Sequence, residues 1–105
     1  MKEIRTQVGA SIYLETLANA VTATGVIAPA AMVSPQLAMR SFMASSTGSA
    51  TVSIEVSNDN VVWLSYITLS PIAGTPDGYA DACPWSYIRA NVTAVSGSVT
   101  VTMGC

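Results

Sequence analysis

Histidine is absent from this 105-residue chain. That removes the commonest general base and the commonest metal ligand at once. Cysteine is nearly absent too: Cys83 and Cys105 are the only two. They cannot build a disulfide framework, and without histidine they cannot complete a tetrahedral zinc site. A single bond between them stays open beside the plainer reading of two thiols in a reducing compartment. Charge is equally scarce, at 10% of residues, where roughly a quarter is usual for soluble domains. The four basic residues, Lys2, Arg5, Arg40 and Arg89, form no cluster, and the net charge is −2. A nucleic-acid surface needs grouped cations to neutralise phosphates, so no nucleic-acid partner is expected. No apolar run follows the charged start Met1-Lys2-Glu3-Ile4-Arg5, so no signal peptide is read there.

The longest uncharged span lies between Glu15 and Arg40. Its length suits a membrane helix. Its content does not: Thr16, Asn19, Thr22, Thr24 and Ser34 are polar, and Pro29 and Pro35 interrupt any helix. No membrane partner is expected.

What the chain has is apolar residues, at 50%. One domain of this length cannot hide that much apolar surface in its own core, and the surplus points to contact with other chains. The expectation is an obligate homo-oligomer, a trimer or similar cluster, or a subunit of a larger assembly.

Two-residue alternation organises most of the chain beyond Thr51. In 51–57, Val52, Ile54 and Val56 alternate with Thr51, Ser53, Glu55 and Ser57. Asn58-Asp59-Asn60 is a turn, and 61–69 resumes an apolar strand around Trp63. In 85–92, Ser86, Ile88, Ala90 and Val92 oppose Trp85, Tyr87, Arg89 and Asn91. The last strand sets Val99, Val101 and Met103 against Ser98, Thr100 and Thr102. Further strands are read at 6–14, 21–27 and 37–45, the last apolar on both faces and so expected to be covered on both. The segment 15–20 reads as a helical turn or loop, 28–36 as an irregular connection, and 71–84 as a long loop. Strands spaced about ten residues apart, with no helical pattern, make an all-β fold: a single-domain antiparallel sandwich, jelly-roll-like, of six to eight short strands. Residues 1–36 read as an N-terminal strand and extended arm with intersubunit contacts, and 37–105 as the sandwich core.

Reactive groupings are few. Asn58-Asp59-Asn60 offers two or three oxygens where calcium takes six to eight, and a hairpin turn explains it better. Asp77 and Asp81 sit close in sequence, with no basic group beside them to make an acid/base pair. Serines are plentiful, but nothing can activate one. No enzyme and no cofactor is expected. Trp63 and Trp85, with Tyr66, Tyr79 and Tyr87, suit core or interface packing, with a sugar-stacking platform as the other reading. Arg89 is a charge in an apolar strand and needs a partner. Glu55 is the nearest by strand pairing, and an intersubunit acid is the alternative. Arg40 occupies a comparable position.

Residues 39–103 resemble small structural proteins of tailed-phage virions. The likeness rests on Ser53-Ile54-Glu55-Val56-Ser57-Asn58-Asp59-Asn60, then Trp63, then Trp85-Ser86-Tyr87-Ile88-Arg89-Ala90-Asn91-Val92-Thr93-Ala94, then a Ser-Gly turn into Val99-Thr100-Val101-Thr102-Met103. Such modules often carry a glycine after the Asn-Asp turn. Here Asn60 stands in its place, and asparagine tolerates the left-handed backbone. The resemblance implies a non-enzymatic virion protein, first a capsid decoration or cement protein bound to the major capsid protein. The alternatives are a tail or fibre component, or a carbohydrate-binding sandwich using Trp63 and Trp85. It implies Trp63, Trp85, Tyr87, Arg89 and Arg40 as structural or interface residues.

Overall fold

The alternating pattern of residues 49–57 becomes the centre of a two-sheet sandwich. The computed structural model describes residues 14–27, 30–31, 39–83 and 85–104. In chain order the strands are β1 (Leu14–Val21), β2 (Gly25–Val26), β3 (Ala30–Ala31), β4 (Met39–Ser46), β5 (Ser49–Ser57), β6 (Leu64–Leu69), β7 (Asp77–Ala82), β8 (Tyr87–Ser96) and β9 (Val99–Gly104). No described residue is helical.

The first sheet runs β1-β9-β4-β7 and the second β2-β8-β5-β6, with β3 also on β8. All pairings are antiparallel. β2 and β3 meet the same strand with registers one residue apart, so they act as one broken strand. The chain crosses between sheets at β1–β2, β3–β4, β4–β5, β6–β7, β7–β8 and β8–β9. This order is that of a jelly roll with eight strand positions, as the spacing of the sequence led us to expect.

Between the sheets lie Val52, Ile54 and Val56 of β5, Ile88, Ala90 and Val92 of β8, and Val99, Val101 and Met103 of β9, all buried. β4 adds Phe42 and Ala44, and β1 adds Leu17 and Ala18. At one end the β4–β5 and β8–β9 turns lock together. Thr47 N–H donates to Ser98 O at 3.0 Å, and Ser98 N–H to Thr47 Oγ1 at 2.9 Å. A Cβ on Gly48 would overlap the Ser96 carbonyl, and Gly97 has φ +85° with Thr47 Oγ1 close by. Both positions therefore require glycine.

Several expectations are corrected. Residues 15–20 form most of β1, not a helical turn. Leu14, Leu17, Ala18 and Val21 have helix-like spacing in sequence, but register shifts fall between Thr16 and Ala18 and between Ala18 and Val21. Each irregularity breaks the two-residue rhythm, which is why a strand here is invisible to pattern reading. The strand expected at 21–27 shrinks to Gly25–Val26, because Val21 closes β1. The loop expected at 71–84 contains β7. Its Asp, Gly and Ala content is poor for strands, but β4 offers a free edge, and all six residues pair with it from Met39↔Ala82 to Ala44↔Asp77. β4 is covered on one face only: Arg40, Phe42 and Ala44 are buried, while Ser41 and Met43 are exposed. Residues 61–63 belong to a loop, with β6 starting at Leu64. Over residues 14–31 the N-terminal segment contributes β1, β2 and β3 to the sandwich itself. Residues 1–13, including most of the first expected strand, lie outside the described residues, as do 32–38 and Cys105.

Candidate functional site

Because Ile88, Ala90 and Val92 point inward, their neighbours Tyr87, Arg89 and Asn91 stand on the outer face of the second sheet. β5 supplies Glu55 directly opposite Arg89 in register. Arg89 Nε donates to Glu55 Oε1 at 2.6 Å, and Asn91 Nδ2 to Glu55 Oε2 at 3.1 Å. Both carboxylate oxygens are thus engaged in holding two side chains of β8. The guanidinium carbon lies 4.1 Å from the centroid of the Trp63 ring. That is cation–π stacking, worth about 0.5–1 kcal/mol at an exposed site.

Trp63 is placed there by the loop between β5 and β6. Ser57 is buried and organises it: Ser57 Oγ accepts from Asp59 N–H at 3.2 Å and Asn60 N–H at 2.9 Å. It donates in turn to Asp59 Oδ1 at 3.0 Å. The same Oδ1 accepts the N–H groups of Val61 and Val62, each at 2.9 Å. These donors, Val62 first, then Val61 and Ser57, hold the Asp59 carboxyl below its ordinary value. Asn60 takes the left-handed conformation, φ 62°, as its residue type allows. One carboxylate oxygen of the turn, Asp59 Oδ1, is thus occupied by three protein donors. Among the described residues no group of three or more acidic, cysteine or histidine side chains gathers for a metal.

The loop ends on two valines held in solvent, Val61 at 77% exposure and Val62 at 65%. Leu64 beside them is also exposed, and Trp85, from the β7–β8 connection, lines the same shallow depression as Val62 and Leu64. Apolar side chains are thus exposed here beside the polar Asn58-Asp59-Asn60 turn.

The five residues singled out from sequence therefore separate. Trp63, Tyr87 and Arg89 share the outer face of the second sheet. Trp85 is half-buried against the core instead and makes no ring contact with Trp63, so the two do not form one platform. Arg40 is buried, with Nη1 donating to Cys83 O at 2.8 Å. Burial pushes the Cys83 thiol up, away from the reactive thiolate.

A second arrangement leaves no signature in the sequence. Tyr66 packs edge-to-face on Phe42 and on Tyr79, with centroids 6.1 and 6.2 Å apart. Its hydroxyl donates to Ala82 O at 3.0 Å, tying β6 of one sheet to β7 of the other. Along β7, Asp77 Oδ1 accepts Gly78 N–H at 2.9 Å and Asp81 Oδ1 accepts Ala82 N–H at 2.7 Å. Gly78 and Ala82 share the strand face whose N–H groups point away from β4. The two aspartates, expected as solvated loop charges, occupy donors that an incoming strand would use.

No family model matches the chain, and no curated protein matches it. Among solved structures, the crystal structure of the PBSX exported protein XepA is similar, with a TM-score of 0.62 and 18% identity. The match covers 88% of this chain and 36% of that one, so the chain spans about a third of that protein's length. At this identity the likeness is one of fold.

Proposed function

We propose that this chain is a non-enzymatic structural protein of a tailed-phage virion, acting as a decoration or cement subunit on the head. The observation that carries the reading is the loop that holds Val61 and Val62 in water. Asp59 and Ser57 fix its backbone, so the valines cannot fold back onto the core. Exposed apolar side chains on a rigid support, beside Leu64 and Trp85, are what a protein–protein contact uses. The jelly roll suits the role, being a recurrent capsid architecture. The likeness to XepA, a phage-associated protein, supports the phage side of the reading. The surplus of apolar residues favours a homotrimer or similar cluster seated on the major capsid protein.

Quantitative mass spectrometry of purified particles tests it. Hundreds of copies per particle mean a head protein, a few to dozens mean a tail or fibre component, and none overturns the proposal. The double variant Val61→Asp, Val62→Asp should fold and fail to join the particle. Normal incorporation of that variant would remove the loop from the contact.

A further inference from the structure

We propose that the outer face of the second sheet, at Trp63, Tyr87, Arg89 and Asn91, binds a neutral saccharide, wherever the chain sits in a particle. Glu55 uses one oxygen on Arg89 Nε and the other on Asn91 Nδ2. Trp63 covers one face of the guanidinium. The arginine is therefore fixed in orientation while both its Nη groups remain without a partner among the described residues. The Tyr87 hydroxyl and the Asn91 amide oxygen are likewise unengaged there.

Here the partnered atoms orient the side chains, and the unpartnered ones belong to side chains that share one outward face. Fixed donors beside an aromatic plate are the arrangement that recognises a sugar. Two ring hydroxyls can accept from the guanidinium edge while the apolar C–H face of the ring rests on an aromatic side chain. Pre-orientation lowers the entropy lost on binding.

Charge selects the ligand class. Glu55 and Arg89 are the only charged residues in the described strands of this sheet, and they cancel. An anion would gain from Arg89 and lose to Glu55 a few ångströms away. A neutral polyol takes the hydrogen bonds without that opposition. Trp85 packs on the core and plays no part.

The test is an amide and indole N–H titration of the 15N-labelled chain. The probes are glucose, galactose, mannose, N-acetylglucosamine and their disaccharides, with glucuronate and inorganic phosphate as charged probes. Saturable shifts at the Trp63 indole N–H, the Arg89 Nε–H and the amides of 87–91 are expected for at least one neutral sugar. R89K should weaken that binding at least about tenfold, the equivalent of about 1.4 kcal/mol, and Y87F should weaken it too. The spectrum of each variant reports its fold directly. The proposal is overturned if no neutral sugar moves these signals, if only the charged probes do, or if R89K binds as tightly as the parent.

Discussion

Val101 is the sharpest place to test the core. It is fully buried on β9, and its register partners on the two flanking strands are Ala18 and Ala44, both buried. Valine is the large member of that row. Val101→Ala removes two methyl-sized groups, about 1.6 kcal/mol of transfer free energy at roughly 0.8 kcal/mol each. Alanines on both sides cannot swell into the space, so a cavity term adds to this, for a total of about 2–3 kcal/mol. For a chain of this length that corresponds to a drop in Tm of about 10–20 °C. Urea denaturation of the parent and V101A should show a lower midpoint with the slope unchanged, since the surface exposed on unfolding stays the same. Val101→Thr keeps the volume and buries a hydroxyl, costing about 1–3 kcal/mol by desolvation alone. Val101→Asp should not fold, because it leaves an unpaired charge in the core. The neighbouring Thr102→Ala, on the opposite face of the strand, should stay within about 0.5 kcal/mol. If V101A also stays within that margin, Val101 does not pack as described and the layer assignment of β9 is wrong.

Other outcomes rest on the polar contacts. Asp59 is depressed below its ordinary 3.8, so its contribution is complete above that value and lost as pH falls through the lower folded-state value. The amide signals of Val61 and Val62 should shift in acid, and Asp59→Asn, which keeps an acceptor, should flatten that shift; signals flat in the parent would count against the loop. Burial first, then nearby Cys83 and Asp81, pushes Tyr66 up to about 12 from 10.0. A raised value means its contribution is complete below pH 10.0 and lost as pH rises through about 12, so Tyr66→Phe should blunt alkaline unfolding in a pH-resolved denaturation series. Asp81→Ala uncovers the outward Ala82 N–H of β7, and sedimentation velocity should show more self-association than the parent; an unchanged distribution would remove Asp81 as an edge guard.

The legible parts of this chain are those where periodicity alone decides orientation. β5, β8 and β9 alternate cleanly, and Val52, Ile54, Val56, Ile88, Val99 and Val101 are buried as the pattern requires. The Glu55–Arg89 pair was within reach because outward residues of two neighbouring strands must meet. The turn at Asn58-Asp59-Asn60 was legible because asparagine and aspartate supply local hydrogen bonds and Asn60 accepts a positive φ. β1 was not legible, because two register shifts scramble its rhythm. β7 was not, because it is a strand by virtue of the β4 edge and not of its own composition.

For the candidate site, the sequence by itself determined which residue types were available: two indoles, a tyrosine and an arginine two residues apart, no histidine and few charges. It could not assign the two tryptophans their separate duties. That was decided by the loop after β5, which turns Trp63 outward over Arg89, and by the connection before β8, which lays Trp85 on the core. Nor could it mark Val61 and Val62 as exposed, since apolar residues next to a strand pattern read as part of it. The backbone N–H groups that Asp59 Oδ1 and Ser57 Oγ accept hold the chain in a loop there. Alternation is a local property and survives in one dimension, whereas the partner of an edge, the slip of a register and the face on which a loop ends depend on chain segments tens of residues away.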